Sequence, residues 1–461
     1  MCSFSTIRVV LSSRTCNEAI RSSNLRISIP CLYAEYGRYI NQFRAIPGNV
    51  DCLKPVERRI LMAMHTMART KFTKCAKVVG AALAVHPHGD MSTYGTMVAL
   101  INRGFIIGKG NFGGQNYEED SKAAAYRYPE CKASPHIEDM AFKYIKHVPW
   151  AVLENENEPL HLPCPVPLGL LSSGEFSTIT QGISFETTKM PRYQFIDLIT
   201  RLHEILTTGK GATIIKPHCY GNTVAEDTPG QFESLLTTGI GKIWYCPNYK
   251  IGHKYIDILD ARNPETGFSK LKKLHIEYPK NIAVEDLSAK GQMRIRVHCK
   301  LGSVTTTFIN TIVGAVSARV NFKCNVVNNQ GQVETHSIDD LLLNSYNAWV
   351  EAWRGNLEAK LEGMKSRLHH LEIIQVIRDC YQPQHTTVQD IINEFNKNKT
   401  FYNNRGIYEC DISETASKGS IKQLIETQLN TASVKREIND IEGSIKVLDK
   451  TAVDYIGGLI T

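Results

Sequence analysis

The sequence predicts a multidomain α+β chain, and three observations carry that expectation. Short amphipathic segments at helical spacing fill the first third, short β-rich segments broken by Pro and Gly fill the middle, and two heptad-like runs stand near the end. A length of 461 residues leaves room for about two to four domains. With 42% hydrophobic and 21% charged residues, the composition is that of a soluble globular protein. Thirteen cysteines, an odd count without a CxxC pair, fit reduced thiols rather than a disulfide framework. The N-terminal apolar run Val9-Val10-Leu11 is too short for a signal-peptide core. No window approaches the roughly 18 apolar residues of a membrane span, so a cytoplasmic protein without membrane contact is expected.

Residues 1–29 are Ser- and Arg-rich without an amphipathic period, and read as an N-terminal arm without chemistry. From Pro30 the pattern turns helical: Leu32, Tyr36, Tyr39 and Phe43 recur every three or four residues until Pro47-Gly48. Pro55 opens a second helix with Val56, Ile60, Met64 and Met67 on one face and Arg58 and Arg59 off it. Residues 76–104 read as two more short helices around the turn HPHG, the second beginning at Asp90, and a short strand Phe105 to Ile107 follows. Such a set fits a helix-turn-helix with a wing, whose second helix normally enters the major groove. Charge agrees. Between Gly37 and Gln115 stand eleven cations, Arg38, Arg44, Lys54, Arg58, Arg59, Arg69, Lys71, Lys74, Lys77, Arg103 and Lys109, against only Asp51, Glu57 and Asp90. That asymmetry suits a polyanion, although a solvated basic face has the same composition.

From about Leu160 the segments ATIIKPHCYG, GKIWYCPNYKIG, MRIRVHCKLG and KCNVVNNQGQVE read as strands of a separate domain ending near Thr335. Leu357, Leu361, Met364, Leu368 and Leu371 then step by four, three, four and three within a long helix over 342–377. A polar insert follows, and a second run appears at Ile438, Ile441, Ile445, Leu448, Ala452 and Tyr455. Two such helices flanking a small globule suggest an antiparallel coiled coil tipped by a knob; a helical-bundle core has the same periodicity.

Three local motifs invite chemistry. Gly108-Lys109-Gly110-Asn111-Phe112-Gly113 matches GxGxxG literally, but polar QNYEEDSK follows where a dinucleotide fold needs an apolar helix, so a cofactor site is not expected. His86-Pro87-His88 has no third metal ligand at sensible spacing; it suits imidazoles beside a phosphodiester, or a pair that orders the turn. Arg127-Tyr128 couples a phenol, whose pKa near 10 makes it a poor nucleophile, to a cation able to stabilise the phenolate and grip phosphate oxygens. On physics alone Tyr126 is an equal candidate.

Together these pieces resemble the breakage-reunion A-type subunit of type IIA DNA topoisomerases: gyrase, topoisomerase IV and phage counterparts. The matching blocks are RAIPGNVDCLKPVERRILMAM at 44–64, HPHGD at 86–90, GKGNFGG at 108–114 and AAAYRYPE at 123–130, in the family's order and spacing. PVPLGLLSSGEFSTITQGISF fits the segment that carries an intercalating isoleucine. The resemblance implies that Tyr128 attacks a DNA phosphate and becomes joined to the 5′ end, with Arg127 assisting the transition state. It implies DNA contacts from Arg44, Lys54, Arg58, Arg59, His86, His88 and Lys109, and a wedge at Ile183, with Ile179 a near alternative. This chain reads DCLKPV-Glu57-Arg58-Arg59 where bacterial members commonly read DGLKPV followed by histidine and two arginines, which puts a carboxylate among phosphates. Met91 replaces the family's serine and Gly95 an acid four residues on, the side chains that anchor quinolones there, so weak quinolone sensitivity is expected.

By the same resemblance, residues 30–150 form a winged-helix domain carrying the catalytic tyrosine and 151–337 a β-rich tower. Residues 338–378 and 417–461 form the outgoing and returning coiled-coil helices around a small helical gate globule at 379–416. A homodimer acting on double-stranded DNA is implied. The Mg²⁺ site and the ATPase are expected on a separate partner subunit, with no metal site in this chain. The chain stops at Thr461 soon after the returning helix, as in the short subunits of phage enzymes, so relaxation or decatenation is expected rather than negative supercoiling. The rival reading, a non-catalytic winged-helix DNA-binding or architectural protein, explains the basic face and the coiled coil but not an Arg-Tyr placed after GNFGG at that spacing. A meiotic-type double-strand cleaving relative shares the tyrosine logic but is expected to carry its own fused metal-binding domain.

Overall fold

A computed structural model describes residues 25–85, 89–115, 120–153, 156–172, 179–180, 187–219, 222–259, 268–278, 280–288, 294–300, 302–380, 388–398, 400 and 430–460. Its helices and sheets are mixed along the chain as an α+β class requires, and it divides into two compact units, residues 1–349 with 456–461, and 350–455.

The first unit opens with helix α1 (Leu25–Ile40), continued by a π-helical turn at Asn41–Ala45. The helix begins before Pro30, so that proline lies one turn inside it and removes only one intrahelical hydrogen bond. Of the residues that recur at helical spacing here, Leu32 and Tyr36 are exposed. Helix α2 (Pro55–Met67) starts where the sequence placed it, with proline at its first position and Ile60, Leu61 and Met64 fully buried. Strand β1 (Thr73–Lys74) leads into α3 (Cys75–Val85), and α4 (Asp90–Asn102) begins at the expected residue. These three helices pack on one another. Strand β2 (Ile106–Lys109), the hairpin β3 (Phe112–Gln115) and β4 (Asp120–Ala123), and strand β5 (Glu130–Ala133) complete the region. β5 lies between β1 and β2 in an antiparallel three-stranded sheet, with Lys74 opposite Glu130 and Glu130 opposite Lys109.

The β-rich part is built on one antiparallel eight-stranded sheet. Its longest strand, Ile240–Ile251, pairs with Asn222–Glu226 and Ala318–Lys323 along its first part and with Tyr255–Leu259 along its end. Alternation is strict on Ala318–Lys323, which buries Ala318, Val320 and Phe322 and exposes the residues between. Ile256, Ile258, Ile295 and Val297 face helices Phe268–Glu277 and Thr306–Val316, where Leu271, Ile312 and Val316 close the core. The segment 214–219, expected as strand, has no regular structure. A hairpin of Asn325–Val327 with Val333–Thr335 precedes the long helix.

That helix runs from Ile338 to Cys380. In the second unit it packs against Thr431–Lys446 through Leu361, Met364, Leu368, Leu371 and Ile374 on one side and Val434 and Ile438 on the other. Arg354 pairs with Asp449 (2.8 Å), Lys365 with Glu442 (2.8 Å) and Glu372 with Lys435 (3.3 Å). Partner numbers fall as helix numbers rise, so the two helices are antiparallel. The returning helix breaks at Val447 and resumes as Leu448–Gly458. Of the segment between, the structure describes Val388–Lys397 as helix.

Candidate active site

The site rests on the loop before α2. Asp51 is fully buried and accepts four hydrogen bonds: from Arg58 Nε (2.8 Å) and Nη2 (2.9 Å), and from the N–H groups of Leu53 (3.0 Å) and Leu162 (2.9 Å). Burial alone would raise its carboxyl, but the Arg58 charge and these donors hold it below the usual carboxylate range. The loop is tight enough that Cys52 adopts φ +53°, the left-handed region that costs an L residue energy. Gly169 donates its N–H to the Asp51 carbonyl (2.8 Å), and a Cβ there would stand 1.9 Å from the Cys52 oxygen, so only glycine fits.

Glu57 closes the capping box of α2 by accepting from the Lys54 N–H (2.9 Å), and its other oxygen takes Arg103 Nη1 (2.9 Å). Arg103 also reaches the Leu168 carbonyl (3.0 Å). The carboxylate expected among phosphates is thus folded inward, a tie between the start of α2 and the end of α4. Arg59 meets Glu158 in a two-pronged pair (2.7 and 2.8 Å), with both residues buried. Arg58 and Arg59, read from the sequence as DNA contacts, therefore hold the fold together, and their guanidinium groups are not presented to solvent. The sequence placed them off the apolar face; burial is possible there because each finds its own carboxylate.

The segment 124–129 forms a loop seated on the first turn of α3. The orphan N–H groups of Cys75 and Ala76 donate to the carbonyls of Pro129 (3.1 Å) and Tyr126 (3.0 Å). Tyr94, buried on α4, donates its hydroxyl to the Ala124 carbonyl (2.7 Å), and burial pushes that phenol up to about 12. Tyr126 donates to Asp90 Oδ2 (3.0 Å), and this bond to a carboxylate raises its phenol above the ordinary value. The two tyrosines thereby differ in their surroundings: the Tyr126 hydroxyl is tied to Asp90. Tyr128 is 62% exposed, its N–H bonded to the Ala125 carbonyl (3.0 Å), its own carbonyl accepting from Lys74 Nζ (2.9 Å), and its ring under the Arg127 guanidinium at 4.7 Å. Gly110, with φ +130°, brings the glycine-rich turn against Pro129, where a Cβ would approach to 3.2 Å. This packing accounts for glycine at the middle position of the GxGxxG match.

Arg127, Lys109 and Arg44 are exposed, and Lys54 is partly buried, its ammonium pKa lowered by that burial. Lys109 and Lys132 lie over the exposed Phe72 ring at 5.8 and 5.0 Å. His86, His88 and Ile183 lie outside the described residues; the stems on either side of Ile183, Ile179–Thr180 and Lys189–Met190, pair at the edge of the large sheet. The geometry adds Asp90, Tyr94 and Lys74 as residues that hold the Tyr128 loop. Asp90 stands inside HPHGD and Lys74 inside the basic run, but neither pattern says what its side chain grips. Among the described residues no group of three or more His, Cys, Asp or Glu is placed to hold a metal ion, and no helix is long and apolar enough to cross a membrane.

The family of the A-type subunit of DNA gyrase/topoisomerase IV matches residues 44–456. The A-type subunit of DNA topoisomerase 4 from Neisseria gonorrhoeae is 27% identical over 421 residues, covering 76% of this chain and 53% of the relative. The protein of that name from Staphylococcus epidermidis is 24% identical over 463 residues, covering 94% and 56%. In Borreliella burgdorferi the identity is 37% over 145 residues, covering 31% and 23%. The chain thus spans about half or less of the length of these relatives. With the family match covering most of its length, residues 44–456, and Tyr128 exposed within the block at 123–130, the chain belongs to the family of DNA gyrase/topoisomerase IV A-type subunits.

Proposed function

We propose that this chain is the DNA-cleaving and resealing subunit of an ATP-dependent type IIA topoisomerase, with Tyr128 as nucleophile. The observation that carries the reading is the contrast between two tyrosines on one loop: Tyr126 bonded to Asp90, Tyr128 exposed beside Arg127. In the reaction the Tyr128 hydroxyl oxygen attacks phosphorus, its proton leaves to solvent or a nearby base, and the 3′ oxygen departs as a hydroxyl. A 5′-phosphotyrosyl ester remains. One phosphoester bond is exchanged for another, so resealing is the same step reversed and needs no ligase cofactor. Arg127 stabilises the charge that develops on the phenolate and on the non-bridging oxygens.

Arg44, Lys54 and Lys109 supply phosphate contacts in this proposal, together with His86 and His88, and Ile183 is the wedge between base pairs. Residues 30–150 act as the winged-helix cleavage domain, 151–337 as the tower, and 379–416 as the gate that joins two copies of the chain. Mg²⁺ and ATP belong to a separate subunit, where the ion supplies Lewis-acid assistance to cleavage and the nucleotide times the gates. The complex relaxes or decatenates DNA in the cytoplasm of a bacterial cell, or of a host if phage-encoded. The test is Tyr128→Phe, assembled with the partner subunit, Mg²⁺ and supercoiled plasmid. Covalent adducts should vanish while Tyr126→Phe still forms them; adducts persisting on the Tyr128→Phe chain refute the assignment and return the non-catalytic DNA-binding reading.

A further inference from the structure

We infer that Lys74 is a positioning residue for strand cleavage, holding the main chain of Tyr128 rather than binding DNA. The inference rests on the reading of Tyr128 as nucleophile. An exposed tyrosine gains freedom to reach a phosphate but loses the packing that would fix its direction, so the backbone must supply the aim. At Tyr128 the backbone is held at both ends: the N–H by the Ala125 carbonyl and the carbonyl by the Lys74 ammonium, at 3.0 and 2.9 Å. Lys74 is the last residue of β1, whose Cα pairs with Glu130 on β5, and the next residue begins α3. Strand pairing thus sets where the Lys74 side chain starts, opposite the residue that follows Pro129.

Charge sets where it ends. The Lys74 ammonium lies 3.1 Å from Glu130 Oε1, and Lys109 approaches the other oxygen at 3.9 Å. Glu130 therefore draws the Lys74 ammonium toward the loop, and Lys109 approaches the same carboxylate through its other oxygen. A lysine in this bridge is engaged by a carboxylate and a carbonyl at once, which disposes it to hold the loop more than to meet a phosphate. Near-attack geometry is sensitive to displacements of an ångström, so slackening one carbonyl anchor acts on the chemical step.

The experiment uses the chain assembled with its partner subunit, Mg²⁺ and a duplex nicked to trap the covalent adduct. Cleavage rate at saturating DNA and DNA affinity across a salt series are measured for wild type, Lys74→Met and Lys74→Arg. Loss of one charge-assisted hydrogen bond predicts a cleavage rate reduced about tenfold for Lys74→Met. Affinity and salt slope should stay at wild-type values, and Lys74→Arg, still able to donate to the carbonyl, should recover most of the rate. An unchanged rate for Lys74→Met, or a loss that Lys74→Arg does not recover, overturns the inference. So does a fall in affinity and in salt slope by about one unit at unchanged saturating rate, the signature of a phosphate contact. Adducts on wild-type Tyr128 with any of these outcomes overturn this inference alone; no wild-type adduct at Tyr128 overturns the functional reading as well.

Discussion

Replacing Arg58 by methionine keeps most of the aliphatic stem and removes the guanidinium from Asp51. The carboxylate then remains fully buried with only the Leu53 and Leu162 N–H groups as donors, at 3.0 and 2.9 Å. Leaving one member of a buried pair alone costs about 3–5 kcal/mol, a fall in melting temperature on the order of 5–10 °C for a unit of this size. The pH dependence follows the sign of the Asp51 shift. In the native chain its carboxyl lies below the ordinary value, so the pair's contribution is present above that value and lost as pH falls through the folded one. In Arg58→Met burial dominates and raises the carboxyl, so the loss is greatest near neutrality and shrinks in acid. Asp51→Asn combined with Arg58→Met should recover at least about 2 kcal/mol of the single-mutant loss. Thermal melts at pH 5 and pH 7, with DNA affinity at two salt concentrations, decide the matter. If Arg58→Met melts like the native chain while its salt slope drops by about one unit, Arg58 is a phosphate ligand and the ion-pair argument is wrong.

His161 lines a cavity of about 120 Å³ and its Nε2 has no protein hydrogen-bond partner. Burial depresses its imidazole from 6.5 to about 4, so the folded state resists protonation. Stability should fall as pH drops from 6.5 to 4, by up to about 3 kcal/mol, and His161→Leu should flatten that part of the curve; an unchanged profile contradicts the burial argument. At Cys52, held at φ +53°, Cys52→Gly should be near neutral in urea melts. Cys52→Val should cost about 2 kcal/mol more, since β-branched residues fit that region poorly; equal stabilities would deny the strain. On α4, Met91 is exposed and a Cβ at Gly95 meets nothing within 4 Å. Met91→Ser with Gly95→Glu should therefore fold, and should raise quinolone potency in a cleavage-trapping assay by at least about tenfold. Unmoved potency would mean those two positions do not set the drug response.

What the sequence displayed well were local signals with a fixed geometry. Pro55 starts α2, Asp90 starts α4, and the heptad residues from Leu361 to Leu371 pack with Val434 and Ile438 across an antiparallel pair. The exposure of Tyr128 was foreseeable only by resemblance, because nothing in Tyr-Arg-Tyr says which phenol finds Asp90 thirty-six residues away. The ion pairs of Arg58 and Arg59 were not legible for a physical reason: a helical wheel marks which residues leave the apolar stripe, not whether a carboxylate distant in sequence waits there. Glu158 lies ninety-nine residues beyond Arg59. The segment 214–219 departs from the expected strand for another reason, since an apolar β-branched residue such as Ile215 can also reach a core from an irregular path.

These inward pairs bear on the basic face itself. Of the eleven cations between Gly37 and Gln115, Arg58, Arg59 and Arg103 are engaged inside, which leaves eight. Of the three acids in that span, Asp51 and Glu57 are engaged with them, which leaves Asp90. Asp90 in turn accepts from Tyr126. Burial therefore lowers the number of cations available to phosphates from eleven to eight, while the net positive excess of this span falls only from eight to seven. Affinity for a polyanion is governed by that surface excess, and its salt dependence by the number of phosphates actually met. A salt slope measured on the assembled complex should accordingly be accounted for by exposed residues such as Arg44, Lys109 and Arg127, with the three inward-paired arginines contributing to melting temperature instead.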